Sequence, residues 1–266
     1  MYWQKRFDRA DPDRELANKL LDLHKEHKDY GYRRMQAILC KQGERINKKK
    51  VQRMMQKYGI QVTAFTRKSR KYNAYKGRTG RIAPNRMHRR FHTSVPHQKI
   101  TTDTTEFKYY ELDAKGRMVI KKLYLDPFLD IFNSEVLSYG ISQTPSAVSV
   151  LSAQKQAIEI TSDCPCRRTF HSDRGWAYQM PAYAYVLKNN RIFQSMSRKG
   201  NCYDNAVMEN FFGILKQEMY YGITYDSFDE LKNAIEKYIK YYNEKRIKEK
   251  LGWMSPMEYR LSLLAA

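Results

Sequence analysis

The chain is 266 residues long, 42% hydrophobic and 13% aromatic, with 49 Lys and Arg against 28 Asp and Glu, a formal charge of +21. That composition excludes wholesale disorder, and no run approaches the roughly 18 apolar residues of a membrane-crossing helix. The first residues lack the apolar centre of a secretory leader, so a cytoplasmic protein with no membrane partner is expected. Asp11-Pro12 reads as a helix cap with proline at the first helical position, followed by Leu16, Leu20 and Leu23 at helical spacing. A second helix fits Tyr32 to Gln42 and stops at Gly43. Asn47 caps a third, with Val51, Met54, Met55 and Tyr58 on one face and Lys48, Lys49, Gln52 and Arg53 on the other. Three short helices, the last basic, suit a helix-turn-helix unit over residues 1–62 whose final helix enters the major groove of double-stranded DNA. A plain three-helix bundle with a charged surface fits the same pattern.

Between Glu44 and Asp103 there is no acid, and the stretch carries 17 Lys and Arg. Such a block attracts phosphate backbones. Its part from 63 to 98, with Arg67, Lys68, Arg70 and Lys71, lacks sustained periodicity and reads as a basic linker that orders on DNA. Cys40, Cys164, Cys166 and Cys202 make no CxxC pair, so free thiols are expected and not a zinc site.

From Lys99 the texture changes. "KITTDTTEFKYYELD", "RMVIKKLYLDPFLDIF" and "SEVLSYGIS" read as strands, "AVSVLSAQKQAIEI" as a helix, "CRRTFHSD" as a strand, "PAYAYVLKNN" as a helix and "RIFQSMS" as a fifth strand. Helices over 204–219 and 227–243 follow, the first capped by Asp204. The expectation for 99–266 is an α/β domain with a mixed five-stranded sheet. Asp103 lies inside the first strand, Asp173 follows the fourth, and Glu209 sits on a helix opposite its apolar stripe of Val207, Met208, Phe211, Phe212 and Leu215. Lys216 shares the face of Glu209. Carboxylates from separate elements can hold two hard divalent cations, which clamp the attacking and leaving oxygens of a phosphoryl displacement. Asp126 and Asp130 also end a strand and compete, whereas strand alternation sends Thr105, not Glu106, to the face of Asp103.

"FHSDRGWAYQ", then "SMSRKGNCYDNAVMENFFGILKQEMY" and "YIKYYNEKRIKEKLGWMSPMEYR", resemble the catalytic part of bacterial insertion-sequence transposases of the retroviral-integrase superfamily. "DYGYRRMQAILCKQGERINKKKVQRMMQKYGI" resembles the helix-turn-helix-like segment that precedes that core, so the resemblance covers essentially the whole chain. The closest likeness is to the second-frame product of two-frame elements. It implies an RNase H-like catalytic core, a D,D(35)E triad of Asp103, Asp173 and Glu209, and two Mg²⁺ (or Mn²⁺) ions. Lys216 then stands where related integrases contact terminal DNA, while His171, Gly175 and Asn205 shape the site. Two departures occur: Lys248 where histidine is usual, and Ser134 and Glu135 where the third strand often carries basic residues. The implied activity is metal-dependent cleavage of the element's 3′ ends and their transesterification into target DNA, by a homo-oligomer on DNA. In two-frame elements the upstream-frame product joins as a frameshift fusion. The resemblance also implies a bacterial, nucleoid-associated location. An element-end-binding protein without catalysis and an RNase H-like nuclease are the alternative readings.

Overall fold

The computed structural model describes residues 13–62 and 80–264. They fall into two compact units: the described part of Met1–Lys68 with Ile247–Trp253, and the described part of Ser69–Arg246 with Met254–Ala266.

The smaller unit has three helices, α1 (Arg14–Glu26), α2 (Tyr32–Lys41) and α3 (Lys48–Lys57). The expected cap at Asp11 lies outside the described residues. Asn47 does cap α3, accepting a hydrogen bond from the Lys49 amide at 2.9 Å. Gly43 and Gly59 end their helices with positive φ of 93° and 64°, where a Cβ is strained. Leu20, Met35, Leu39, Val51 and Met54 meet in one core. Ile247 joins that core, its backbone held by Tyr30 and Arg34 at 3.1 and 3.2 Å. Part of the stretch read as catalytic core thus completes the helical unit.

The larger unit is built on one mixed sheet of β1 (Lys99–Thr102), β2 (Thr105–Leu112), β3 (Met118–Asp130), β4 (Val136–Ser142), β5 (Thr169–Ser172) and β6 (Phe193–Met196). The first predicted strand is divided. β1 and β2 both run antiparallel to β3 along one edge, while β4 pairs with the other. β5 lies parallel to β1, and β6 parallel to β5. The interruption falls at Asp103 and Thr104, so Asp103 is not inside a strand. Its carboxylate accepts from the Thr104 amide at 2.8 Å, a local bond that competes with ladder pairing.

Helices cover both faces. α6 (Ala206–Met219) and α7 (Phe228–Glu244) bury Met208, Phe211, Leu215, Leu231 and Ile235 against Phe107, Leu123, Leu125 and Leu129. α4 (Ala147–Ile160) and α5 (Pro181–Asn189) pack on Ile100, Phe128, Phe170 and Met196. Strand alternation explains the division: on β3, odd positions from Leu123 face α6 and α7, while Asp126 and Phe128 face α4. A last helix, α8 (Pro256–Leu264), holds Arg260, which pairs with buried Glu135 at 2.8 Å. The acid that departs from the family pattern is therefore neutralised inside the fold. Residues 80–98, read as the second half of a linker, belong to this unit: Met87 is 1% exposed, and Asn85 bonds Asp204 at 2.9 Å.

Candidate active site

Three elements bring the acids together. Asp103 stands in the break between β1 and β2, Asp173 directly after β5, and Glu209 in the first turn of α6. β1 and β5 are parallel neighbours, so their carboxyl ends emerge side by side. Asp103 and Asp173 are half-buried and Glu209 is exposed. Burial, then the charge of Asp173, push the Asp103 carboxyl well above its usual range, and Glu209 adds to the effect. Burial also raises Asp173. Among the described residues no cation pairs with any of the three.

Neighbouring groups fix the pair. The Asn205 amide donates to Asp103 Oδ2 at 2.7 Å. The Gly175 amide donates to Asp173 Oδ1 at 2.7 Å, and a Cβ on Gly175 would lie 2.9 Å from that oxygen. A larger residue there would press on the Asp173 carboxylate. His171 is fully buried on β5, with Nδ1 at 2.8 Å from Ser195 Oγ and Nε2 at 2.9 Å from the Asp204 carbonyl. Burial lowers its pKa, keeping it neutral as a tie between β5, β6 and the start of α6.

Among the described residues no group of three or more His, Cys, Asp and Glu side chains is gathered closely enough to hold an ion by itself. Magnesium does not require such a cage, since it binds through one or two carboxylates and completes its shell with water and substrate phosphate. The donors fit a hard divalent cation: two uncompensated carboxylates repel one another, and the buried Asn205 Oδ1 beside them takes no hydrogen bond.

Comparison with known proteins identifies the family. An integrase core domain model matches residues 94–202, a second integrase core model residues 209–264, and an HTH-like domain model residues 11–69. An uncharacterized transposase-like protein of Haemophilus influenzae is 44% identical over 220 residues, covering 83% of this chain and 95% of its own. The chain belongs to the bacterial insertion-sequence transposases of the retroviral-integrase superfamily. InsK of insertion sequence element IS150 in Escherichia coli is 40% identical over 260 residues, covering 97% of this chain and 87% of its own. The transposase for insertion sequence element IS904 of Lactococcus lactis is 30% identical over 246 residues, covering 92% of each chain. The HTLV-2 integrase catalytic core domain in complex with magnesium aligns with a TM-score of 0.46 at 18% identity, covering 62% of this chain and 97% of that one.

Other expected contacts of the transposase fare unevenly. Lys48, Lys49, Gln52 and Arg53 are exposed on α3, although Arg53 stands 3.8 Å from Asp13. Arg67, Lys68, Arg70 and Lys71 lie outside the described residues. Lys216 does not present its charge to a ligand. It is 5% exposed, its Nζ donates to the Glu106 carbonyl at 2.9 Å, and it stands 4.8 Å over the Phe107 ring. Asp204 does not cap α6 either. A 3₁₀ turn over Cys202–Asn205 precedes the helix, and the Asp204 carboxylate takes Arg198 at 2.9 Å, Asn85 at 2.9 Å and Arg89 at 3.3 Å. Arg198 holds that carboxyl well below the usual range although burial opposes it.

Sequence reasoning missed Arg198, Asn85 and Arg89, whose partner lies far along the chain or was assigned to a cap. It also counted Asp126 only as a competing acid. Asp126 is 1% exposed and accepts from Thr104 Oγ1 at 2.6 Å and Ser149 Oγ at 3.3 Å. It therefore braces the residue next to Asp103. The spacing of Thr104 behind Asp103 was visible, but not the strand that carries Asp126 beside it.

Proposed function

We propose that this transposase cuts the 3′ ends of its element and joins them to target DNA by direct transesterification at Asp103, Asp173 and Glu209. The observation that carries the proposal is the uncompensated pair of Asp103 and Asp173 at adjacent strand ends, each desolvated and with Glu209 near enough to raise Asp103 further. Two Mg²⁺ (or Mn²⁺) ions, when bound, supply charge stabilisation at the attacking and leaving oxygens of an in-line displacement. Asp103 and Asp173 are the principal holders, and Glu209 completes the set from the first turn of α6. Asn205 and the Thr104 amide orient Asp103, and the Gly175 amide orients Asp173. Such preorganisation lowers the reorganisation needed when charge develops. Lys48, Lys49, Gln52 and Arg53 on α3 read or hold the terminal repeat, and Arg67, Lys68, Arg70 and Lys71 add phosphate contacts. No side chain is assigned a covalent role.

The test supplies the chain with duplex DNA carrying the element's terminal repeats, and separately with an RNA–DNA hybrid, both with Mg²⁺. The expected products are free 3′-OH element ends and joined strands from the duplex. Digestion of the hybrid without joining would instead identify a nuclease, and tight binding of the ends without cleavage a non-catalytic binding protein.

A further inference from the structure

The edge strand β6 opens with Phe193, and two guanidinium groups lie over its ring. The central carbon of Arg167 is 3.6 Å from the ring centroid and that of Arg86 is 4.2 Å. Groups that close would overlap on one face, so they occupy opposite faces. The two cations are then no farther apart than those two distances together. The ring attracts each of them, but they repel one another.

Both arginines are anchored in a way that leaves their terminal nitrogens available. Arg167 Nε donates to the Arg191 carbonyl at 3.0 Å. Arg191 has a left-handed backbone, φ 55°, at the turn between α5 and β6. Arg86 is fixed by its backbone amide, which donates to Ser195 Oγ at 2.9 Å. Among the described residues neither guanidinium has an acidic partner. Three other arginines of this unit are matched to acids: Arg246 to Glu218, Arg260 to Glu135, Arg198 to Asp204. The two stacked groups are both exposed. Stacking presents their planar forks ready-made, the geometry that suits bidentate contact with phosphate oxygens.

We infer that Arg86 and Arg167, held on the two faces of Phe193, form a binding site for backbone phosphates of duplex DNA. The site is separate from the acids. Phe193 pairs with Thr169, four residues before Asp173, which is about 13 Å along the strand at the usual rise. DNA engaged at the acids would be gripped a second time at the sheet edge. The inference rests on the reading of the chain as a DNA-acting transposase and is independent of its strand-transfer chemistry.

The test measures binding of the full chain to a labelled mixed-sequence duplex, without divalent metal, over a series of salt concentrations. The variant R86A/R167A is expected to bind more weakly, with the slope of log affinity against log salt reduced by about 1.8, about 0.9 for each lost phosphate contact. R86K/R167K keeps the charges and is expected to retain most of the slope. An unchanged slope in R86A/R167A overturns the inference, whether or not self-association changes. So does an equal loss in both variants accompanied by a lower melting temperature, which would make the stack a structural feature only. A wild-type chain that shows the full slope but cuts nothing would contradict the proposed chemistry and leave this site standing.

Discussion

Asp126 shows how much one residue in this site depends on its surroundings. Burial raises its carboxyl from 3.8 to about 6, with Thr104 and Ser149 opposing the shift. The folded chain therefore keeps a proton there that the unfolded chain loses. Stability from this group is greatest below the unfolded value and falls as pH rises through the interval up to about 6. D126N removes the charge while its side-chain oxygen can still accept from Thr104. It should be more stable than wild type near pH 7.5 by up to about 3 kcal/mol, at about 1.4 kcal/mol per unit. The two should converge near pH 4, as urea unfolding at both values would register. A constant difference at both pH values would contradict the assignment. Lys216 teaches a different lesson. The helical wheel put it on the side of Glu209, yet Glu209 is exposed while Lys216 is buried against the Glu106 carbonyl and the Phe107 ring of β2.

At the scale of elements, α6 is fixed at both ends, which is what a helix presenting Glu209 needs. Its start is tied by Asp204 to Arg198, Arg89 and Asn85. Near its end Glu218 meets Arg246, 3% exposed in its side chain, at 2.5 Å, and also accepts from Tyr238. E218A leaves a buried guanidinium unmatched, and should cost about 3–5 kcal/mol in denaturant unfolding. A cost near zero would mean the pair is not buried in solution. On the other face, a Cβ at Gly140 would stand 2.2 Å from Ser149 Oγ and 2.8 Å from its carbonyl oxygen. G140A should therefore force β4 and α4 apart, at a cost of about 1–3 kcal/mol. The apolar periodicity of α6 and α7 and the β-branched runs of the sheet were legible in the sequence because each depends on local spacing. The break at Asp103 was not, since Thr101, Thr102, Thr104 and Thr105 all favour strand, while Asp103 and Thr104 bond to Asn205 and Asp126, far along the chain.

At the scale of the whole molecule, a chain of net charge +21 holds a small cluster of acids that no cation pairs with among the described residues. The sequence displayed the contrast, and the resemblance to insertion-sequence transposases, not the spacing alone, singled out Asp103, Asp173 and Glu209. It could not show that residues 80–98 belong to the sheet unit, because their partners Ser195 and Asp204 lie more than a hundred residues away. Nor could it show Ile247 entering the helical core. Under the proposed function the two units divide the work: exposed Lys48, Lys49 and Gln52 on α3 in one, and the acids in the other. The proposed strand transfer depends on those acids. Its most direct test is the rate at which a pre-cut element end with a free 3′-OH is joined to target DNA in Mg²⁺, by wild type and by D103N, D173N and E209Q. Each variant should bind DNA as wild type does and join it slower by on the order of 100-fold or more; joining at the wild-type rate by D173N or E209Q would contradict the account.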